Sequence, residues 1–221
     1  IAASGDDTRP ILTGVYFHTF KGELYVVATD SYRLAERRVS PVKEDVSLLI
    51  PASAVQDLLR IMGDADQPVS VTHDDQQVLF VIGDVELVTR LIDGSYPDYR
   101  KLIPSTFQTS ATLPRGELQN ITKVSSLFAR ESAGSVTLYI SEDENKVSIQ
   151  SVASQLGENT ATADAKVEGE GSITLNSRYI LDALNVISDD SVTVSFNGKL
   201  EPCIIRGTDK DYLHVIMPLK S

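Results

Sequence analysis

The chain has 221 residues, 42% of them apolar and 23% charged, a globular composition with room for one large domain or two ordinary ones. Its net charge of −11 argues against tight grip on a phosphate backbone by the body as a whole, while leaving room for a local basic face. The single cysteine, Cys203, excludes an intramolecular disulfide and suits a reducing, cytoplasmic compartment; no apolar run approaches the ~20 residues that span a bilayer.

From the N-terminus, "LTGVYFHTFKGELYVVATD" predicts two strands around a Lys21-Gly22 turn. A short apolar strand ending at Ile50 leads into Pro51, a helix opener, and Val55, Leu58, Leu59 and Met62 form an amphipathic stripe. Val69 and Val71 precede a turn at "HDDQQ", and two more strands close the half. Pro97 and Pro104 break both periodicities in "DGSYPDYRKLIPS".

The second half restarts with a helix opened by Pro114, its stripe Leu118, Ile121, Val124 and Phe128. Two strands flank the acidic turn Glu142 to Asn145. Asn176 and Ser177 then open a helix with the stripe Ile180, Ala183, Leu184 and Ile187. Val192, Val194 and Phe196 lead to Asn197-Gly198, which predicts a tight hairpin, and further strands end the chain.

The order of elements therefore repeats, which predicts two tandem α+β domains, residues 1–98 and 99–221, with helices on one face of antiparallel sheets. The first copy lacks its opening strand and most of its opening helix, so the sequence reads as part of a longer protein.

Little in the chain offers chemistry. His18 and His73 fall at or near predicted turns and His214 in a terminal strand, none at metal-ligand spacing. The acidic groups Asp64/Asp66, Asp74/Asp75, Glu142/Asp143/Glu144 and Asp189/Asp190 fall at turns or helix ends without calcium-loop order. Cys203 sits in an apolar run and reads as a buried, inert thiol.

"TDSYR" admits two readings. As an active site it offers Asp30 as base with Tyr32 and Arg33 as electrophilic partners, in a small hydrolase or transferase. As a turn, Asp30 and Thr29 bond the local backbone and Arg33 pairs nearby. No nucleophile, metal or phosphate cradle accompanies it, which favours the turn. A tandem-repeat interaction module is a further alternative.

"VATDSYRLAERR", "LIDGSYPDYRKLIPS", "SSLFARESAGSVTLYIS", "LNSRYILDALNVI" and "HVIMPLKS", in that order and spacing, resemble the bacterial DNA polymerase III beta subunits, the replication sliding clamps. The resemblance covers nearly the whole chain and implies a non-enzymatic processivity factor without cofactors. It implies three such domains in the full protein, closing head-to-tail as a homodimeric ring on duplex DNA, with sheets outside and two helices per domain on the inner face. This chain corresponds to the second domain, truncated, and the third.

The resemblance also implies a hydrophobic peptide groove that captures linear motifs of glutamine-leucine-aromatic type from the polymerase III alpha subunit, the clamp loader, other polymerases and repair proteins. Carried over, its residues are Leu12, Thr29, Ser31, Tyr32, Arg33, Leu34, Pro97, Lys101, Leu102, Asn176, Tyr179, Leu200, Pro202, Val215, Met217, Pro218 and Leu219. Ser31, Tyr32 and Ser221 occupy positions that vary in the family, which bears on peptide preference. Arg9, Arg60, Lys123 and Arg178 are the DNA-facing candidates; Leu127, Phe128 and Arg130 are expected at the ring interface. A chain of this extent is expected to be a monomer that keeps the groove without closing the ring.

Overall fold

The first hairpin turns on two residues in the left-handed region, Lys21 at φ 52° and Gly22 at φ 78°. That backbone matches the natural twist of paired strands, so Phe20 and Glu23 pair directly across it. The strands it joins, β1 (Gly14–Phe20) and β2 (Glu23–Thr29), run antiparallel side by side in the order β3-β2-β1-β4, with β3 at Arg33–Pro41 and β4 at Ser47–Pro51. The computed structural model describes residues 1–63, 68–153 and 157–220. Two candidates raised above, Asp64/Asp66 and Ser221, lie outside them.

Helix α1 (Ala52–Met62) follows β4 directly, and a three-stranded meander, β5 (Ser70–His73), β6 (Gln77–Ile82) and β7 (Val85–Arg90), follows the helix. Leu48 and Ile50 of β4, Ala54 and Leu58 of α1, and Val78, Phe80 and Ile82 of β6 form one core, with Val55, Ile61 and Met62 packed against it. Leu59, placed on the helical stripe from sequence, is instead 61% exposed, because the buried face centres on Ala54, Leu58 and Ile61. Together these elements make up the unit Ile1–Pro97.

The unit Asp98–Ser221 repeats the plan. Its sheet β11-β10-β9-β13 (Gly157–Asp164, Lys146–Ala153, Ser135–Ser141, Gly171–Asn176) has the order of β3-β2-β1-β4: three meander strands, then a fourth returning beside the first, a Greek key. Helix α3 (Ser177–Val186) again follows the returning strand, and β14 (Ser191–Phe196), β15 (Cys203–Arg206) and β16 (Tyr212–Ile216) form the meander. On the other side of β14 lie β8 (Thr109–Pro114) and β12 (Lys166–Glu168), and α2 (Arg115–Phe128) leaves β8 directly. Each unit is therefore α+β with antiparallel sheets backed by helices.

The α3 stripe holds in full: Ile180, Ala183, Leu184 and Ile187 are all buried. Asn176 caps the helix, its Oδ1 accepting from Arg178 N at 2.9 Å. The α2 stripe needs correction. Val124 is exposed, and the buried face carries Leu118, Ile121, Thr122 and Ser125. Polar side chains are tolerated there because both hydroxyls are satisfied: Thr122 Oγ1 donates to Leu118 O at 2.6 Å and Ser125 Oγ to Ile149 O at 3.3 Å.

Asn197-Gly198 is not a two-residue hairpin turn, since residues 197–202 separate β14 from β15. Asn197 staples a neighbouring loop instead, donating Nδ2 to Thr106 O at 2.9 Å and accepting Gln108 N at 2.7 Å. Gly169, at φ +73°, passes so close to Gln108 O that a Cβ there would clash with backbone.

Candidate functional site

The turn after β2 is closed by its own side chains. Thr29, buried at the end of β2, donates Oγ1 to Arg33 O at 2.6 Å and accepts Ser31 N at 3.2 Å. Asp30 Oδ1 accepts the backbone N–H groups of Tyr32 and Arg33, each at 2.9 Å, and Oδ2 accepts Arg33 Nε at 3.0 Å. Both carboxylate oxygens are thus occupied by the turn itself, which leaves Asp30 poorly placed to act as a base. The reading of "TDSYR" as a turn fits this geometry.

With the backbone so fixed, Ser31 stands at φ 80° and Tyr32 projects into solvent, 58% exposed. Leu34 and Leu12, by contrast, are buried, so they back this surface rather than form its outer layer. Arg9 joins the same turn, its Nη1 donating to Ser31 Oγ at 3.0 Å and its Nε pairing with Asp6 at 3.1 Å. Arg9, in the loop before the first hairpin, is thereby anchored beside Ser31. Tyr96 also belongs here, and sequence reasoning missed it. Its ring stacks on Tyr16 at 4.8 Å, and burial pushes its phenol above the ordinary tyrosine range against an opposing backbone hydrogen bond involving Thr29.

His18 lies near the end of β1, shortly before the Lys21-Gly22 turn, buried and stacked between Tyr16 and Tyr25 at 4.8 and 5.8 Å. An aromatic row of this kind needs the register of β1 against β2 to be recognised. Pro97 is exposed at the end of the unit.

In the second unit Lys101 and Leu102 sit on a short 3-10 turn anchored by buried Tyr99. Both are exposed, and Asp98, 2.8 Å from Lys101 Nζ, raises the ammonium's pKa through its hydrogen bond and charge. Asn176 is engaged at the α3 cap, also donating to Ala133 O at 3.3 Å. Tyr179 packs partly on the core, Pro202 is half-buried and Leu200 is 71% exposed. Val215 is a core residue of β16, whereas Met217, Pro218 and Leu219 run half-buried beyond it, tied down where Leu219 N donates to Thr174 O at 2.8 Å.

Arg60, Lys123 and Arg178 are exposed on α1, α2 and α3. Arg60 pairs with Asp57 at 2.6 Å in an exposed ion pair, which is worth little and leaves the guanidinium accessible. On α2, Leu127 and Val124 are exposed, Phe128 is half-buried and Arg130 is exposed beyond the helix end. Among the described residues no group of three or more His, Cys, Asp and Glu is placed to hold a metal, and no helix is long and apolar enough to cross a membrane. Cys203 is buried, which pushes its thiol up to about 12.

A Greek-key sheet, a helix and a three-stranded meander in the same order in both units define tandem DNA-clamp domains. Residues 1–98 match the family described as DNA polymerase III beta subunit, central domain, and residues 100–220 match DNA polymerase III beta subunit, C-terminal domain. The chain belongs to the DNA polymerase III beta subunit family. It is 34% identical over 225 residues to the beta sliding clamp of Staphylococcus aureus and 33% identical to that of Staphylococcus epidermidis. All of this chain and 59% of each relative are covered, so the chain spans well under two thirds of their length. Among solved structures it is similar to the DNA polymerase sliding clamp of Bacillus subtilis, with a TM-score of 0.94 and 33% identity, covering 100% of this chain and 60% of that one. The DNA polymerase III beta subunit of Thermotoga maritima gives a TM-score of 0.92 and 29% identity, with the same coverage of 100% and 60%.

Proposed function

We propose that this chain is the peptide-docking part of a bacterial replication sliding clamp, a non-enzymatic, cytoplasmic processivity factor whose full-length homodimer encircles duplex DNA. The observation that carries this reading is the turn Thr29–Arg33. The Asp30 carboxylate, the Thr29 hydroxyl and Arg33 Nε fix the backbone, while Tyr32 is left facing solvent. Such an arrangement supports recognition rather than catalysis, because a pre-set backbone lowers the entropy cost of binding.

On this reading Ser31, Tyr32 and Arg33 with Pro97 in the first unit, and Lys101, Leu102, Leu200, Pro202 and Met217–Leu219 in the second, take linear motifs from the polymerase III alpha subunit, the clamp loader, other polymerases and repair proteins. Unbranched Met217 supplies adaptable apolar surface, and the few polar groups orient the peptide. Leu12, Leu34 and Val215 support the surface from within. Arg60, Lys123 and Arg178 face DNA in the assembled ring, where a modest basic lining allows sliding. Leu127, Phe128 and Arg130 offer an apolar patch with a cation beside it for the ring interface. Titration with a peptide of glutamine-leucine-aromatic type tests the reading: saturable binding that weakens in Met217→Ala supports it, and absence of binding at millimolar peptide contradicts it.

A further inference from the structure

The face of β8, β14 and β15 turned away from the core carries a site that the peptide surface above does not use. Ala111, Leu113, Val192, Val194, Phe196, Cys203 and Ile205 alternate into the core, so Ser110, Thr112, Thr193, Ser195, Ile204 and Arg206 share the opposite face. Register sets Thr193 across from Arg206, with Ser195 and Ile204 directly paired. The hydroxyls link in pairs, Thr112 with Thr193 at 2.8 Å and Ser110 with Ser195 at 3.0 Å.

Over this face opens a cleft of about 520 Å³, lined by Thr193, Ser195, Ile204 and Arg206 together with Phe107, Gly207, Thr208 and Lys210. Arg206 Nε is buried there with no hydrogen-bond partner among the described residues. A buried guanidinium N–H without an acceptor is costly, and the cost is relieved when an anion supplies one. Lys210 adds a second, exposed cation. The neighbouring carboxylate does not supply the acceptor: Asp189 is held by Thr208 Oγ1 and by Asp209 N at 3.4 Å, and these donors, the Thr208 hydroxyl first, keep its pKa below the usual carboxylate range.

We propose that this cleft docks an acidic segment of a partner protein, an aspartate or glutamate carboxylate on Arg206 and Lys210 with an adjacent apolar side chain against the half-buried ring of Phe107. Charge complementarity selects the acid, and the aromatic and aliphatic lining, in a cleft of ligand-pocket size, selects a peptide over a bare oxyanion. The site lies wholly within the second unit and stands independently of the peptide surface proposed above.

The test is a nuclear magnetic resonance titration of the 221-residue chain with the capped tetrapeptide Leu-Asp-Asp-Leu, with Leu-Asn-Asn-Leu, and with inorganic phosphate. Saturable shifts at residues 193–195 and 204–210 with the acidic peptide alone are expected, weakened about tenfold or more in Arg206→Gln by loss of a charge-assisted hydrogen bond. The exposed Lys210→Gln variant, which leaves folding intact, weakens binding a few-fold by loss of one screened charge contact. Equal binding of the asparagine peptide, no shifts at these residues, or phosphate binding as tightly as the peptide would each overturn the proposal.

Discussion

Asp30 Oδ2 and Arg33 Nε lie 3.0 Å apart, three residues apart in sequence, with their side chains only 16% and 12% exposed. The pair closes a turn whose backbone donors already bind the other carboxylate oxygen. A charged group this well satisfied and this little hydrated is structural, and its removal takes one acceptor from the guanidinium and the side-chain acceptor from two N–H groups at once. Asp30→Ala is therefore expected to lower unfolding stability by about 2 kcal/mol, measured by urea denaturation. A loss below about 0.5 kcal/mol would assign the turn's shape to something else.

Two glycine exchanges should move stability in opposite directions. Ser31, a non-glycine residue at φ 80°, carries left-handed strain, so Ser31→Gly is expected to leave stability unchanged or raise it by up to about 1 kcal/mol. Gly169 combines φ +73° with the close carbonyl of Gln108, so Gly169→Ala is expected to cost about 2 kcal/mol or more. Thermal melts of both variants read the two signs.

Buried weak acids make the fold sensitive to alkali. Burial holds the Cys203 thiol at about 12, against about 8.5 in an unfolded chain. Between those values the unfolded state has released its proton while the folded state retains it, so unfolding stability falls as pH rises above about 8.5 and is fully present below it. Half-buried Tyr96, also raised, adds in the same direction at higher pH. Denaturation midpoints from pH 8 to 11 should decline, and Cys203→Ala should flatten the lower part of that decline. In the folded chain the thiol should resist alkylation at pH 8.

Val124 and Leu127 form an exposed strip on α2, 45% and 53% exposed. Leu127→Glu is expected to fold with unchanged stability, within about 0.5 kcal/mol. Light scattering should report a monomer for both the parent chain and the variant; a stable dimer of the parent chain would contradict the expectation that this chain does not close a ring.

Much of this fold was legible where apolar residues alone fill a buried stripe, as in Ile180, Ala183, Leu184 and Ile187. It was misread where hydrogen-bonded hydroxyls replace them, as Thr122 and Ser125 displace Val124 from the α2 core, and where Ala54 and Ile61 leave Leu59 outside. Asn197-Gly198 misled because its amide serves a distant loop rather than a turn. At the candidate site, the local bonds of Asp30 and Thr29 followed from residue type and spacing. The residues proposed to dock peptide in the second unit did not, because half-buried aliphatics such as Met217 and Leu219 carry no signal that separates surface from core. Arg206 and Thr193 meet only through strand register, which spacing along the chain does not encode.

The central claim is that "TDSYR" recognises rather than reacts, and peptide titration of two neighbouring variants tests it most directly. Tyr32→Ala should weaken a glutamine-leucine-aromatic peptide by several-fold or more without changing the melting temperature, while Asp30→Asn should lower the melting temperature first. Full peptide affinity in Tyr32→Ala together with unchanged affinity in Met217→Ala would contradict the account.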